Sequence, residues 1–458
     1  KETIKRYQYI NQSLKETYTI DQSKATDYRS RLDRILIHRF WGYIIFFMIL
    51  LTIFQVIFDW SSIPMEFIDK SFSALSEYTK STLPPGLFTN LLAEGIISGL
   101  GGIVIFIPQI AFLFLFIAVL EETGYMSRVV FLMDRGLRKY GLSGKSVIPL
   151  ISGTACAIPA VMATRNIENW KERLITILVT PFTTCSARLP VYLILISLVI
   201  PEGSFLGMGY QGLTLMGLYL LGFVMALLSA AILNKILKIQ SKTFFVIEMP
   251  NYKIPLLKNV LITVFEKTKS FVVEAGRIIL AISILLWFMA SFGPGDNFTQ
   301  AEEIVKNQKG SELLTPLELE TEIASYKLEH SFIGILGKSI EPAIDPLGFD
   351  WKIGIALISS FAAREVFVGT LATIYSVGNT QEETLINRMK SERRPNGELL
   401  FDLPTGVSLM LFYAFALQCM STLAIVKKET NSWKWPMIQL LSMTLIAYLS
   451  ALIVYQIL

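Results

Sequence analysis

The chain has 458 residues, of which 52% are hydrophobic and only 17% are charged, with a mean hydropathy of +0.51 and a formal net charge of +4. A soluble globular protein of this size carries about 25% charged residues. The composition excludes a soluble enzyme, a disulfide-rich secreted scaffold and a disordered chain. The balance of 41 basic against 37 acidic residues does not favour nucleic-acid binding. The sequence instead predicts a membrane protein.

Uncharged stretches long enough to span a membrane recur along the whole chain. A helix needs about 20 residues to cross the hydrocarbon core, whereas a transmembrane barrel would alternate polar and apolar residues over strands of about 10 residues. We therefore expect an all-α polytopic membrane protein. Seven uncharged windows of at least 18 residues support this, at 40–58, 95–120, 146–164, 203–234, 278–295, 403–426 and 435–458.

Residues 1–40 are polar, and we expect them to form a cytoplasmic linker or juxtamembrane helix. Arg29, Arg31, Arg34 and Arg39 precede the first apolar window, and basic residues mark the cytoplasmic end of a span. The first residue is Lys1, and the N-terminal segment lacks the apolar stretch of a signal peptide. We expect an upstream portion to precede this chain.

Residues 41–458 are expected to form one transmembrane transport domain with eight spans and one re-entrant segment. Residues 60–86, which include Pro64, are predicted to be an outer loop, and 293–345 should lie on the external face. Window 146–164 is predicted to be re-entrant because Pro149, Gly153 and Pro159 interrupt it. The predicted spans are 41–59, 87–121 (whole or broken), 174–201, 212–234, 271–292, 350–377 and the C-terminal helices of 404–458, which cross at 404–427 and 435–458.

An internal repeat aligns residues 141–155 with 348–362 without gaps. Seven of the aligned positions are identical, among them Gly141/Gly348, Lys145/Lys352 and Ser152/Ser359. The predicted topology places three spans between the copies, so they would begin on opposite sides of the membrane, as in transporters built from inverted repeats. Chance similarity between two apolar segments is the alternative. We place gate repeat 1 at about 90–200 and gate repeat 2 at about 271–378.

Two of the three cysteines lie where proline and glycine interrupt predicted helices. Cys156 follows Gly153 and precedes Pro159, and Cys185 lies between two prolines. Broken helices free backbone carbonyls, and thiolates suit late first-row metals, so these segments predict a transient site for a divalent cation. A small buried hydrophobe is the alternative role of each cysteine. Cys419 is a weaker candidate because its segment has no helix breaker. The neighbouring hydroxyl groups that we include in the pathway are those of Ser152, Thr154 and Thr184.

Ionisable residues within the predicted spans are costly and usually face a cavity or a partner. Arg188 and the adjacent Arg364 and Glu365 are predicted to be structural charges, with Arg364 and Glu365 forming an internal ion pair. Glu121 and Glu122 are predicted to gather cations at the mouth of the pathway, with a solvated helix end as the alternative.

Other signals fail. Gly144-Lys145-Ser146 resembles the end of a phosphate-binding loop, but the required first glycine is replaced by Lys139, so no nucleotide site is expected. His38 and His330 lie outside any metal-ligand spacing, and no nucleophile motif is present, so we expect no enzymatic activity.

The motifs in combination resemble the membrane domain of the ferrous iron transport protein B family, from about Arg29 to Leu458. They are Leu120-Glu-Glu-Thr-Gly-Tyr-Met-Ser-Arg128, Ser152-Gly-Thr-Ala-Cys-Ala-Ile-Pro-Ala160, Thr180-Pro-Phe-Thr-Thr-Cys-Ser-Ala-Arg-Leu-Pro-Val-Tyr192 and Phe361-Ala-Ala-Arg-Glu-Val-Phe-Val-Gly-Thr-Leu371.

This resemblance implies Fe(II) import across the bacterial inner membrane, with Fe(II) as the transported substrate and Cys156 and Cys185 as its leading contacts. It also implies an N-terminal cytoplasmic GTP-binding domain, absent from this sequence, which would drive or gate transport. Membrane lipid, a small cytoplasmic accessory protein and a second copy of the chain are further candidate partners. A nucleoside-type carrier and a membrane receptor or assembly subunit that transports nothing remain as alternatives.

Overall fold

The structure is a computed structural model, and its helices follow the apolar windows of the sequence. Of the described residues, seven segments are helical, long and apolar enough to cross a membrane. They are Trp41–Thr82, Leu87–Glu122, Trp170–Val199, Tyr210–Ile236, Leu257–Ser291, Leu403–Thr430 and Lys434–Ile457. The all-α polytopic class is therefore confirmed. The structure describes residues 6, 9, 12–13, 28–38, 40–84, 86–201, 203–205, 208–237, 252–306, 316–361, 364, 366–375, 382–394 and 397–458.

The first half of the described chain begins with a short helix and a very long one. It contains α1 (Tyr28–Leu36), α2 (Trp41–Thr82), α3 (Leu87–Asn90), a π-helical segment (Leu91–Ile97), α4 (Ser98–Val104), α5 (Ile107–Glu122), α6 (Tyr125–Leu137), α7 (Val147–Ala155), α8 (Ala157–Ala163), α9 (Trp170–Val179), α10 (Leu189–Val199), a two-residue hairpin of β1 (Ser204–Phe205) and β2 (Met208–Gly209), and α11 (Tyr210–Ile236). Short 3-10 turns connect several of these helices, at Arg138–Tyr140, Gly144–Ser146, Thr164–Asn166, Thr180–Phe182 and Ser186–Arg188.

The second half repeats the alternation of long and short helices. It contains α12 (Leu257–Ser291), α13 (Asp296–Thr299), α14 (Ala301–Lys306), α15 (Pro316–Glu329), α16 (Phe332–Ile344), a 3-10 turn (Asp345–Leu347), α17 (Trp351–Ser359), α18 (Val366–Ile374), α19 (Glu382–Ser391), α20 (Leu403–Phe415), α21 (Met420–Thr430) and α22 (Lys434–Ile457).

The predicted outer loop at 60–86 was wrong, because α2 continues through Pro64 to Thr82. A proline inside a helix removes one backbone hydrogen bond, and neighbouring helices in a membrane protein can compensate for that loss. Here the second half of α2 packs against residues 91–104. Ser76 Oγ donates to the carbonyl of Ala93 over 3.1 Å, and Lys80 Nζ pairs with Glu94 at 2.9 Å. These contacts extend the helix where the sequence suggested a turn.

The span expected at 350–377 consists of two short helices, α17 and α18, with nine residues each. Nine residues at about 1.5 Å rise each cover less than half of the hydrocarbon core. The second repeat therefore contains a broken segment here, as the first does between α7 and α8. Among the described residues, seven segments are long enough to span a membrane, where eight were expected.

Local structure supports the internal repeat independently of sequence identity. Helix α6 and helix α16 have bounds that differ by the same 207 residues as the sequence alignment, and a 3-10 turn follows each. Gly141 (φ 79°) and Gly348 (φ 81°) end these turns in the left-handed conformation that glycine accommodates best. The amide of each glycine donates a hydrogen bond to the carbonyl three residues earlier. Two apolar segments that resembled each other only by chance would not be expected to share this turn.

The last helix illustrates how the bundle divides lipid-facing from packed surface. On α22, Met443, Ala447 and Ala451 are buried at a spacing of four residues. Leu441, Leu445 and Leu449 repeat with the same spacing and are exposed. Small residues let helices approach closely in a membrane, whereas leucine suits the lipid. The buried stripe packs α22 against α20, and the broken helices lie in the interior of the bundle.

Candidate functional site

Three helix breaks converge on one cavity. They separate α7 from α8 at Cys156, α9 from α10 at residues 180–188, and α20 from α21 at residues 416–419. The backbone is extended at Cys156 (φ −155°, ψ 133°), Cys185 (φ −87°, ψ 161°) and Cys419 (φ −157°, ψ 101°), and each cysteine directly precedes a new helix or 3-10 turn. All three thiol residues line the same cavity of about 100 Å³. We call it the thiol cavity.

Local sequence accounts for two of these breaks. At the first break, Pro159 cannot donate a backbone hydrogen bond. Gly153 packs closely against the break between α9 and α10, where a Cβ on residue 153 would lie 2.4 Å from the Thr183 hydroxyl. At the second break, Pro181 and Pro190 each occupy the first turn of a short helix, where proline is well tolerated.

The expectation that the Cys419 segment is unbroken was wrong. Helix α20 ends at Phe415 and α21 begins at Met420, although neither proline nor glycine lies between them. Tertiary hydrogen bonds stabilise the break instead. The amide of Met420 donates to the Phe361 carbonyl over 3.2 Å, and Arg188 Nη2 donates to the Ala416 carbonyl over 3.4 Å. Cys419 consequently reaches the same cavity as the other two thiols.

The rest of the cavity wall is mainly apolar, with a short polar chain on one side. Gln109 Nε2 donates to Ser186 Oγ over 3.1 Å, and Ser186 Oγ donates to the Ala155 carbonyl over 2.9 Å. These two residues were not singled out from the sequence, although Gln109 is a polar residue next to Pro108 within an uncharged window. The lining residues are Phe106, Gln109, Ile110, Leu113, Ala155, Cys156, Ala157, Ile158, Cys185, Ser186, Ala187, Phe271, Ile279, Arg364, Cys419, Ser421 and Thr422.

The thiol cavity is not a preformed metal site. Among the described residues, no three or more His, Cys, Asp or Glu side chains lie close enough together to hold a metal ion. The three cysteines share a wall without forming a closed coordination shell. A cation would therefore meet fewer than three thiols at once in this conformation, together with carbonyl and hydroxyl oxygens of the broken helices.

Two arginines are buried next to the cavity. Arg188 is 0% exposed, and its guanidinium contacts the carbonyls of Pro181, Thr183 and Ala416 at 3.4 to 3.5 Å, which links the second and third breaks. Arg364 is 5% exposed and lines the cavity itself. Glu365, the expected partner of Arg364, lies outside the described residues.

The hydroxyl groups expected in the pathway point elsewhere. Thr154 Oγ1 donates to the Ile151 carbonyl of its own helix over 2.6 Å. Thr184 is fully buried and packs on α11, where a Cβ at Gly222 would lie 3.1 Å from Thr184 Oγ1. Ser152 lines a second, smaller cavity rather than the thiol cavity. Ser186 and Ser421 are the serines that line the thiol cavity instead.

Glu121 and Glu122 end α5 and have different surroundings. Glu121 lines the second cavity with Ser152, Asn166 and Lys267. Glu122 Oε2 accepts a hydrogen bond from the Leu256 amide at 2.8 Å, which secures the start of α12. Neither carboxylate lines the thiol cavity.

Helix α1 contacts the transport domain through the buried guanidinium of Arg128. Asp33 of α1 accepts hydrogen bonds from Arg128 at 3.1 Å and from the Tyr252 hydroxyl at 2.5 Å, and the Arg128 guanidinium also lies 4.0 Å from the Tyr252 ring centre. Burial opposes ionisation of Asp33, but the hydrogen bonds from Arg128 and Tyr252 and the charge of Arg128 outweigh it, so the pKa of Asp33 lies below its usual value. This contact joins three distant parts of the chain.

Two family profiles match the chain. The gate profile, described as nucleoside recognition, matches residues 103–198 and 272–433, more than half of the chain, and the profile of the ferrous iron transport protein B C terminus matches residues 215–267. The two parts of the gate match contain all three breaks at the thiol cavity. No solved structure matches the chain.

Curated relatives match over nearly all of the chain. The Fe(2+) transporter FeoB of Leptospira interrogans is 44% identical over 98% of this chain, which spans 62% of that protein's length. The FeoB of Campylobacter jejuni is 36% identical over 97% of this chain and 68% of its own length, and a protein A/FeoB fusion of Porphyromonas gingivalis is 34% identical over 99% of this chain and 54% of its own length. The chain therefore belongs to the ferrous iron transport protein B family.

Proposed function

We propose that this chain forms the membrane pathway for Fe(II) import across the bacterial inner membrane, and that the ion passes through the thiol cavity. The observation that carries the proposal is the convergence of Cys156, Cys185 and Cys419 from three separate helix breaks. They are the only cysteines in the sequence. The names of the relatives, which call them Fe(2+) transporters, support the choice of ion.

Thiol chemistry suits a transported Fe(II) ion if coordination stays weak. Thiolates are soft ligands, but Fe(II) binds N, O and S sites less tightly than copper or zinc does. A site of three or four preformed thiolates would retain zinc. A wall that offers one or two thiols at a time, with backbone carbonyls for the remaining positions, lets an ion lose water and then move on. Cys156 and Cys185 are the leading contacts in this proposal, and Cys419 joins them.

The orientation and coupling follow from the proposed function. The basic residues before α2 support a cytoplasmic N-terminus by the positive-inside rule. A GTP-binding domain on that side would drive or gate transport, and α1 is the segment through which it would act, by way of the contact of Asp33 with Arg128 and Tyr252. The Porphyromonas relative is a fusion of an Fe(2+) transport protein A with FeoB, which supports a small accessory protein as a partner.

The deciding experiment is anaerobic Fe(II) entry into liposomes that contain the purified chain and an internal fluorescent chelator. We expect the double variant Cys156→Ser/Cys185→Ser to lose most of the flux. Thr154→Ser is the matched control, because the Thr154 hydroxyl bonds its own helix and does not line the cavity. Equal flux in the double variant and the wild type would contradict the thiol pathway.

Competition and labelling separate the other candidate functions. Excess uridine in the same assay would suppress flux through a nucleoside-type carrier and should leave Fe(II) entry unchanged. A receptor or assembly subunit with a sealed core would keep its cysteines unreactive towards small water-soluble thiol reagents. We expect reagent to reach the thiols in the wild type. If the chain alone is impermeable, adding the part of the Leptospira relative that this chain does not span distinguishes a closed gate from a wrong function.

A further inference from the structure

Among the described residues, the wall of the thiol cavity carries a buried positive charge and no carboxylate. Arg364 lines the cavity, and its Nη1 has no hydrogen-bond partner among the described residues. Arg188 lies close enough for the two guanidinium charges to repel each other. None of the described residues on the wall is a carboxylate. A charge buried in a membrane protein is costly unless a counter-charge lies close to it.

A second donor without a partner lies on the same wall, at the start of α21. Ser421 is 1% exposed, and its hydroxyl has no hydrogen-bond partner among the described residues. It occupies the first turn of an eleven-residue helix, and Cys419 before it provides no side-chain cap. The N-terminus of a helix carries a partial positive charge and favours anions. Arg364 and Ser421 therefore offer two unused donors in a positive environment.

We propose that the thiol cavity binds a small inorganic anion, of the size and charge of chloride, between the Arg364 guanidinium and the Ser421 hydroxyl. The anion supplies the counter-charge that the described side chains do not. Its role in transport rests on the proposed iron pathway, where it would offset part of the charge of a dehydrated Fe(II) ion passing two buried arginines. Binding of the anion itself requires no iron.

Chloride binding can be measured directly on the metal-free, reduced chain in detergent. The ³⁵Cl NMR line of dilute chloride in gluconate buffer broadens when chloride exchanges with a protein site, and added bromide reverses the broadening. We expect Arg364→Met to weaken chloride binding about tenfold or more, since a charge-assisted hydrogen bond is lost. Arg364→Lys should retain part of the binding. Arg393→Met is the matched control, because Arg393 is exposed and bonds the Gly397 carbonyl.

Each outcome decides the proposal. Protein-dependent broadening that Arg364→Met abolishes and Arg393→Met preserves supports the site. No broadening with the wild type, or equal broadening with folded Arg364→Met, overturns it. If Arg364→Met does not fold, Ser421→Ala is tested in its place. Weaker chloride binding by Ser421→Ala would support the site, and unchanged chloride binding would overturn it. Because iron is absent, the two proposals fail separately. Chloride binding without Fe(II) flux, when flux stays absent after the GTP-binding domain is added, would overturn the iron pathway alone, and Fe(II) flux without chloride binding would overturn the anion site alone.

Discussion

A cysteine that directly precedes a helix combines a soft ligand with a polarised backbone. Cys156 and Cys419 occupy such positions, Cys185 precedes a 3-10 turn, and the Arg364 charge lies on the same cavity wall. The positive end of a helix and a nearby cation both favour negative charge on a ligand atom. Burial of the thiols opposes this effect, and the separation of the thiols limits how many metal bonds form at once.

Cys419 should contribute to metal binding as strongly as the two cysteines that proline and glycine reveal in the sequence. We expect Co(II), an optical substitute for Fe(II), to produce a thiolate charge-transfer band with the anaerobic wild type. Cys419→Ser and Cys185→Ser should weaken Co(II) binding to similar extents, since both residues line one cavity. Optical titration checks this, with Thr154→Ser as the control.

The triple cysteine-to-serine variant should show no thiolate band, because the sequence contains no other cysteine. Full Co(II) affinity in Cys419→Ser would mean that its thiol only fills space. The same titration without any band in the wild type would contradict a metal role for all three.

At the scale of elements, the breaks decide where chemistry is possible, and their causes differ. The first two breaks could be predicted because proline and glycine act locally on the backbone. The third could not, because it depends on the contacts of Met420 with Phe361 and of Arg188 with Ala416, which are 59 and 228 residues apart in sequence. The opposite error occurred at Pro64, where helix packing overrides a local breaker. The repeat was predictable in register because Gly141 and Gly348 satisfy the same backbone requirement.

Gly348→Ala should destabilise the second repeat by about 2 kcal/mol, from left-handed strain and a steric clash. An added Cβ would lie 2.3 Å from the Tyr455 ring and 2.9 Å from Thr405 Oγ1. Gly369→Ala is the matched control, since Gly369 lies within α18 and a Cβ there meets no atom within 4 Å. Thermal unfolding followed by tryptophan fluorescence should give a lower midpoint for Gly348→Ala only. Equal unfolding midpoints for Gly348→Ala and Gly369→Ala would contradict the proposed requirement for glycine at position 348.

At the scale of the whole molecule, an ionic cluster around the buried carboxylate of Glu429 joins the broken helices, and its basic partners are partly exposed. Glu429, at the end of α21, is 8% exposed and accepts hydrogen bonds from Arg165 at 2.9 Å and from Arg173 at 2.7 Å. Arg165 follows α8 and Arg173 belongs to α9, so the cluster joins parts of the chain that lead to all three breaks. Lys428, beside Glu429, bonds Glu274 of α12. This cluster could not be predicted from the sequence, because Glu429 is more than 250 residues from both of its arginine partners.

Glu429→Gln should lower the stability of the transport domain substantially. Glutamine removes the carboxylate that Arg165 and Arg173 share, and since both arginines are partly exposed we expect a cost of about 1 to 3 kcal/mol, between that of a surface pair and that of a buried pair. Glu66→Gln is the matched control, because Glu66 pairs with Lys70 at 3.8 Å on an exposed surface, where such a pair contributes about 1 kcal/mol or less. We expect a lower unfolding midpoint for Glu429→Gln than for Glu66→Gln in the same detergent. If both midpoints match the wild type, the cluster does not hold the broken helices, and the geometry of the thiol cavity must depend on packing and on the hydrogen bonds at the breaks themselves.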